Sequence, residues 1–454
     1  MEREMVTAVP TSAGGTSLAA VGDVNGDGID DFLAGGTGAA YLFFGSATAL
    51  PGTPGVTFVG SGAAFFGNGV AGVGDLNADG IADFAISAFG ANSFAGAVYV
   101  FFGHNAMTAW PPTIDVDLGG CAADLCLRSD DGMPGAGPDE FAFLGSSIAN
   151  AGDFDGDGIA DLVIGAPGAN TVGSTYPGAV YVLRGSATLG GVATLPGTAA
   201  TTISGFVINV PPGFQQLGTA VAGLGNVGGG PGDDLALGAA GNAPAEGGIF
   251  TVLGRAHPGT GIVAIAPAEL GIVNRGAPNT LGSTVVNAGD VDNNGMVDVG
   301  SYETLHPGGQ ATYYLGVGGG YTASSARLLQ NDSVDRASDS FGRFIGTGVH
   351  TSPLVGATGI LGDLDRDGRA DLLVGATQLD TMPAAGQLYY SGLVSELPAV
   401  ARSLAHATFS PATAEAMPFR IPQFVGDVNG DGFLDLAVGD PDHLADTGRV
   451  VVYY

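Results

Sequence analysis

The stretch Asp23-Val24-Asn25-Gly26-Asp27-Gly28-Ile29-Asp30-Asp31 decides how this chain folds. Its pattern, Asp-x-Asp/Asn-x-Asp/Asn-Gly-x-x-Asp, returns in copies that begin at Asp75, Asp153, Asp290, Asp363 and Asp427. A degraded seventh copy fills the gap between the third and fourth intact ones. There Asn226, Gly228 and Gly230 stand at the first three ligand positions and Asp234 keeps the last. Seven units of about 65 residues fill the 454 positions, so residues 1–454 read as one array with no separate domain.

Short β-branched or aromatic runs bounded by glycine surround each copy. One apolar stretch precedes the loop, as at 17–24 and 284–291, and a second follows it, as at 83–87, 161–165 and 435–439. A third is the clearest, at 39–45 (AAYLFFG), 97–103 (AVYVFFG) and 179–185 (AVYVLRG), and a weaker fourth is visible at 56–60 and 201–206. Helical periodicity is hard to find. Seven four-stranded units predict an all-β fold, a seven-bladed β-propeller of antiparallel blades, because radial packing leaves only short, protected edges. The last unit ends on its third strand, while residues 4–9 precede the first unit with no partner of their own. This N-terminal segment is expected to be the outer strand of the last blade, closing the ring. A parallel β-helix is the alternative, but its repeats are shorter and more uniform.

Composition narrows the function. Glycine fills 81 positions without a Gly-X-Y period, which excludes collagen, and 45% apolar residues suffice for a large core. The glycines therefore mark tight turns. Thirteen Lys and Arg against 44 Asp and Glu leave a formal charge of −31, which repels phosphate backbones and excludes nucleic-acid binding. Gly, Asp, Asn or Pro cuts every apolar run well short of the roughly 20 residues of a membrane-spanning helix, so no direct membrane insertion is expected. Met1-Glu2-Arg3-Glu4-Met5 carries neither the basic nor the apolar region of an export signal, so no export address is read there, and membership of a longer protein is left open.

Oxygen-bearing side chains at positions 1, 3, 5 and 9 of a tight turn, with glycine at 6 and the position 7 carbonyl, converge on one hard cation. That donor set selects Ca²⁺ over Zn²⁺ and suits it better than Mg²⁺. Six calcium sites are expected. The first is Asp23, Asn25, Asp27, Ile29 and Asp31; the second is Asp75, Asn77, Asp79, Ile81 and Asp83; the third is Asp153, Asp155, Asp157, Ile159 and Asp161. The fourth is Asp290, Asp292, Asn294, Met296 and Asp298; the fifth is Asp363, Asp365, Asp367, Arg369 and Asp371; the sixth is Asp427, Asn429, Asp431, Phe433 and Asp435. An EF-hand would need a bidentate acid at position 12, where this chain has Ala34, Ile86, Ile164, Ser301, Val374 and Val438 inside expected strands. Asp, Asn and Gly are also ordinary turn residues, but turn formation alone does not require four oxygens at fixed offsets in six copies. The degraded loop at 226–234 is expected to be free of metal. Six Ca²⁺ would bring the formal charge of −31 to about −19.

Beside the loops stand Phe66-Gly67, Phe143-Leu144-Gly145, Leu217-Gly218, Leu281-Gly282 and Phe341-Gly342 upstream, and Gly165-Ala166-Pro167, Gly238-Ala239-Ala240, Gly375-Ala376-Thr377 and Gly439-Asp440-Pro441 downstream. The combination resembles the FG-GAP repeat of the seven-bladed propeller in integrin α-subunit heads. The resemblance implies calcium loops on the lower face, supporting the ring, and a partner on the opposite face. Departures are the weak second strand of the fifth unit (Val299-Gly300-Ser301-Tyr302) and the missing Phe-Gly of the seventh. A microbial FG-GAP surface or secreted protein fits better than a true integrin.

Connections between second and third strands share a face with those between blades, opposite the loops. Insertions at 104–140, 257–280 and 318–340 are assigned to that face. Cys121 and Cys126 lie in the first of them, either closed as a small disulfide or as two free thiols. His104, His257, His306, His350, His406 and His443 form no metal spacing or nucleophile motif, so no catalytic residue is assigned. The expected function is a calcium-stabilised, noncatalytic, extracellular adhesion or ligand-recognition propeller, monomeric, with a protein or glycan ligand. A carbohydrate-binding propeller is the alternative, against which the single Trp110 counts, and a polysaccharide lyase or other enzyme stands third.

Overall fold

The computed structural model describes residues 4–8, most of 14–303 with breaks, single strands between 310 and 409, and residues 421–440 and 448–453. The described strands fall into seven sheets. In the first, Ser17–Gly22, Asp31–Gly36, Ala39–Phe43 and Val56–Val59 pair antiparallel in chain order. The second repeats this with Val70–Gly74, Asp83–Ala88, Ala97–Phe101 and Leu125–Ser129. In the last sheet, Glu4–Ala8 pairs antiparallel with Arg449–Tyr453 and so supplies the outer strand, as the sequence led us to expect. The fifth unit's weakly marked second strand forms over Asp298–Glu303.

Four sheets gain a fifth, parallel strand. Thr113–Asp115 joins Val56–Val59, Gly191–Leu195 joins Leu125–Ser129, Ile262–Ile265 joins Gly205–Asn209, and Ala399–Ala401 joins Ala326–Gln330. Each comes from the following unit, from the stretch after its third strand. This corrects the placement of the insertions 104–140, 257–280 and 318–340. The first two contain such a strand together with their own unit's fourth strand, and the last contains its unit's fourth strand, Ala326–Gln330, so the first parts of all three leave on the loop side. There the His104 N–H donates to the Val24 carbonyl, inside the first unit's loop, at 2.9 Å.

Strands such as Asp31–Gly36 and Asp83–Ala88 are buried at every residue, which explains why they show no polar alternation. A small sheet cannot bury both faces by itself, so the core lies between units. Leu33, Leu42 and Phe58 pack with Phe84 and Phe101 of the second unit; Leu125 and Leu127 pack with Ile148 and Ile164 of the third. Phe32, Tyr41 and Phe43 of the first unit pack with Val425, Ala437 and Val450 of the last. First strands also adjoin in order, Ser17–Gly22 to Val70–Gly74, then Ser147–Gly152, Leu217–Gly225 and Val286–Gly289. Ile421–Gly426 comes back against Ser17–Gly22.

Candidate metal-binding loops

Each described loop starts from a kink in the first strand. Pairing shifts register at Gly22, Gly74, Gly152 and Gly426, immediately before position 1, and these glycines have φ between 69° and 88°. Such a bulge bends the chain out of the sheet and into the loop. The position 1 carboxylate then accepts the N–H groups of positions 5 and 6. For Asp23 these are Asp27 and Gly28 at 3.0 and 2.7 Å, and Asp75, Asp153 and Asp427 repeat the arrangement. Positions 3 and 5 each accept the N–H two residues on, as when Asp27 bonds Asn25 at 2.9 Å and Ile29 bonds Asp27 at 3.0 Å. The backbone thus holds the acidic side chains of four loops in one shared conformation.

Position 9 has a second task. Asp83 is fully buried and accepts N–H groups from Leu76 at 2.8 Å and Gly103 at 2.9 Å, tying its loop to the end of the third strand. Asp31, Asp161 and Asp435 are likewise buried, and Asp31 and Asp161 bond Gly45 and Gly185. Asp234 of the degraded loop keeps the same tie, accepting from Gly228 at 2.5 Å and Gly254 at 2.8 Å. Its survival where other ligand positions are lost marks the tie as structural. Asp83→Ala and Asp234→Ala each strand buried donors and should each cost on the order of 3 kcal/mol of unfolding free energy. Urea midpoints check this; calcium stoichiometry should fall by one ion for Asp83→Ala and stay unchanged for Asp234→Ala.

Burial pushes the Asp83 and Asp161 carboxyls up to about 8 and Asp435 to about 7, against an ordinary 3.8, and holds Asp31 well above that range. Backbone donors oppose the shift, and the neighbouring loop aspartates add to it. Because folding favours the neutral form, this contribution is complete below about pH 4 and is lost as pH climbs through 8. Metal-stripped protein should therefore show a lower urea midpoint at pH 8.5 than at pH 5.5 (a rise of about three units). A midpoint that climbs over the same range contradicts the assignment.

Among the described residues, three carboxylates converge in one loop only. Oxygens of Asp153, Asp155 and Asp161 lie within 4.8 Å of one another, a donor set that fits a hard divalent cation. The sequence predicts six equivalent sites; the described residues bring together one such carboxylate cluster. In the loops that begin at Asp75 and Asp427, position 3 is Asn, whose Nδ2 donates to Asp79 or Asp431 at 3.0 and 3.2 Å; Asn25 donates to Asp31 at 3.4 Å. In the third loop Arg184 takes that part, pairing with Asp155 and, at 2.6 Å, with Asp157. Asp290, Met296 and Asp298 are described, with Asp298 buried, whereas Asp292, Asn294 and the fifth set, Asp363, Asp365, Asp367, Arg369 and Asp371, lie outside the described residues.

Sequence reasoning missed the links between loops. Position 8 is aspartate in the first and degraded loops. Asp30 accepts the Asp427 N–H at 3.0 Å, and Asp233 accepts the Asp153 N–H at 2.9 Å. The residue after each third-strand glycine also donates to position 2 of the preceding loop: Ser46 to Val428, His104 to Val24, Ser186 to Leu76 and Arg255 to Phe154, at 2.8 to 2.9 Å. Loop order is therefore shared between neighbours.

At the other ends of the same strands, Phe65, Phe89, Phe94 and Phe143 form a cluster, with Phe65 and Phe89 stacked at 4.8 Å and Phe94 and Phe143 edge to face at 5.7 Å. Phe65 is 37% exposed. Beside them a pocket of about 380 Å³ is lined by Asn92, Tyr99, Asp117 and Arg128. Trp110 is instead core, packed on Phe84 and His104. His104 thus packs on Trp110, and His257 sits against Phe206 with Nε2 2.9 Å from the Gly205 carbonyl. The other four histidines lie outside the described residues. Cys121 and Cys126 are joined as a disulfide at the entry to Leu125–Ser129.

The FG-GAP repeat model matches residues 144–183, 355–395 and 424–453. The chain carries FG-GAP repeats. The first and last matched segments hold the loops that begin at Asp153 and Asp427, and the middle one spans 363–371. Integrin alpha-PS5 of Drosophila melanogaster is 30% identical over 161 residues, 33% of this chain and 14% of its own length. Integrin alpha-5 of Xenopus laevis is 32% identical over 189 residues, 39% and 15%. Phosphatidylinositol-glycan-specific phospholipase D of Bos taurus is 35% identical over 116 residues, 25% and 12%. The chain spans less than a sixth of the length of these curated relatives. The crystal structure of the exotype rhamnogalacturonan lyase YesX covers 99% of this chain and 75% of its own at a TM-score of 0.43 and 12% identity, too distant to bear on fold or chemistry.

Proposed function

We propose that the chain is a closed seven-bladed propeller, stabilised by calcium in its six intact loops, that works outside the cell as a noncatalytic adhesion or ligand-recognition module. The partner is a protein bound on the face opposite the loops. The observation that carries this is the aromatic cluster there. Phe65, Phe94 and Phe143 are held at φ of 55°, 71° and 55°, and Asn92 and Ser93 beside the pocket at 51° and 59°. Such backbone costs on the order of 1 kcal/mol or more per residue and concentrates at binding sites. Exposed phenylalanine edging a pocket with one acid and one base is the composition of an interface centre rather than of a solvated loop. The disulfide and the integrin-like matches support an extracellular setting.

A glycan ligand is the second reading, favoured by the polar lining of Asn92, Tyr99, Asp117 and Arg128. A protein-partner pull-down run beside a glycan array, each with calcium and with chelator, separates the two. Phe65→Ala and Arg128→Ala should abolish capture while leaving the melting temperature within a few degrees. Capture unaffected by both variants would remove the site from this face. Release of new unsaturated sugar ends from a polysaccharide panel would overturn the noncatalytic reading.

A further inference from the structure

The third loop differs from the other described intact loops at two places at once. Position 3 is Asp155 where they have Asn25, Asn77 and Asn429, and the residue before the third-strand glycine is Arg184 where the first two units have Phe44 and Phe102. The register is secure, because Gly45, Gly103 and Gly185 all donate their N–H to the position 9 aspartate of their own loop. One added carboxylate is therefore matched by one added guanidinium from the adjoining strand. Arg184 pairs with Asp155, whose side chain is 1% exposed, and with Asp157 at 29%.

We propose that Arg184 is a tethered cation that competes with calcium for the third loop. This rests on the reading that the loops bind calcium. Positions 3 and 5 cannot serve both cations: an arriving Ca²⁺ must expel the guanidinium or sit beside its charge. Two like charges about 4 to 5 Å apart interact strongly enough to change an affinity by roughly tenfold or more. The third loop is accordingly the weakest of the intact described sites. Arg184 keeps it ordered when calcium is scarce, and the site fills only after the loops of neighbouring units have filled.

Two measurements on the full chain test this, with Arg184→Gln removing the charge and Arg184→Lys keeping it. In crystals equilibrated at graded calcium, ion occupancy at Asp153 in the parent should reach half at a concentration at least roughly tenfold above that at Asp23 and Asp75. Arg184→Gln should close that gap, and Arg184→Lys should keep most of it. In thermal melts the sign should reverse: Arg184→Gln lowers the melting temperature in chelator and raises it in saturating calcium. An arginine that merely braces the fold would lower both. Equal filling of the three loops in the parent, or a lower melting temperature in both conditions, overturns the proposal while leaving calcium binding intact. Failure of every loop to take up calcium overturns the calcium reading and this inference with it.

Discussion

Stripping calcium from the protein should lower its melting temperature by roughly 10 °C or more. A ligand present at a hundred times its dissociation constant stabilises the folded state by about 2.7 kcal/mol per site, so four fully described intact loops give about 11 kcal/mol. Unfolding entropy scales at roughly 2.1 cal/mol/K per residue, or about 1 kcal/mol/K for this chain, which converts that free energy to some 10 °C. The effect should exceed a sum of independent loops, because each is bonded to its neighbour through position 2, and two pairs also through Asp30 and Asp233. Differential scanning calorimetry in calcium and after verified metal removal measures it directly. Coincident melts would contradict a structural role for the ion.

The second large effect lies at the seam between units. A methyl on Gly165 would fall on the Gly218 carbonyl of the next unit and on the Ser147 hydroxyl, and that hydroxyl already bonds the same carbonyl at 2.8 Å. The same seam recurs where Gly35 meets Gly67 and Ser17, and where Gly439 meets Gly15. Backbone cannot yield there, so Gly165→Ala should cost about 4 kcal/mol or more, or prevent folding. The second unit shows the compensation: Ser87 replaces the glycine, and Gly69 stands where Ser147 would be, leaving room for the hydroxyl. The pair Gly165→Ser with Ser147→Gly should therefore recover expression and part of the stability lost in Gly165→Ser alone. Equal stability of Gly165→Ala and the parent would refute this account of the motif.

These seams explain why so much was legible in the residues. Loop and strand signals repeat in step because each unit solves the same packing problem against the next, and the pairing of Glu4–Ala8 with Arg449–Tyr453 followed from counting strands. What escaped the reading was either non-repeating or carried by too few residues. Asp30 and Asp233 occupy a position that is apolar in the other loops, as at Ala82, Ala160 and Leu434, so no pattern flagged them. The fifth strands are as short as Thr113–Asp115 and owe their pairing to an edge in another unit. Asp234 looked like the remnant of a ligand set, but its bonds to Gly228 and Gly254 give it a task that needs no metal. Arg184 was visible as the one basic residue in AVYVLRG; only the geometry linked it to Asp155 and Asp157.

The most direct test of the whole account is a crystal structure determined in saturating calcium, with anomalous scattering used to place the ions. One ion is expected in each loop beginning at Asp23, Asp75, Asp153 and Asp427, and none between Asn226 and Asp234. Empty loops at those four positions, or an ion seated at 226–234, would contradict it.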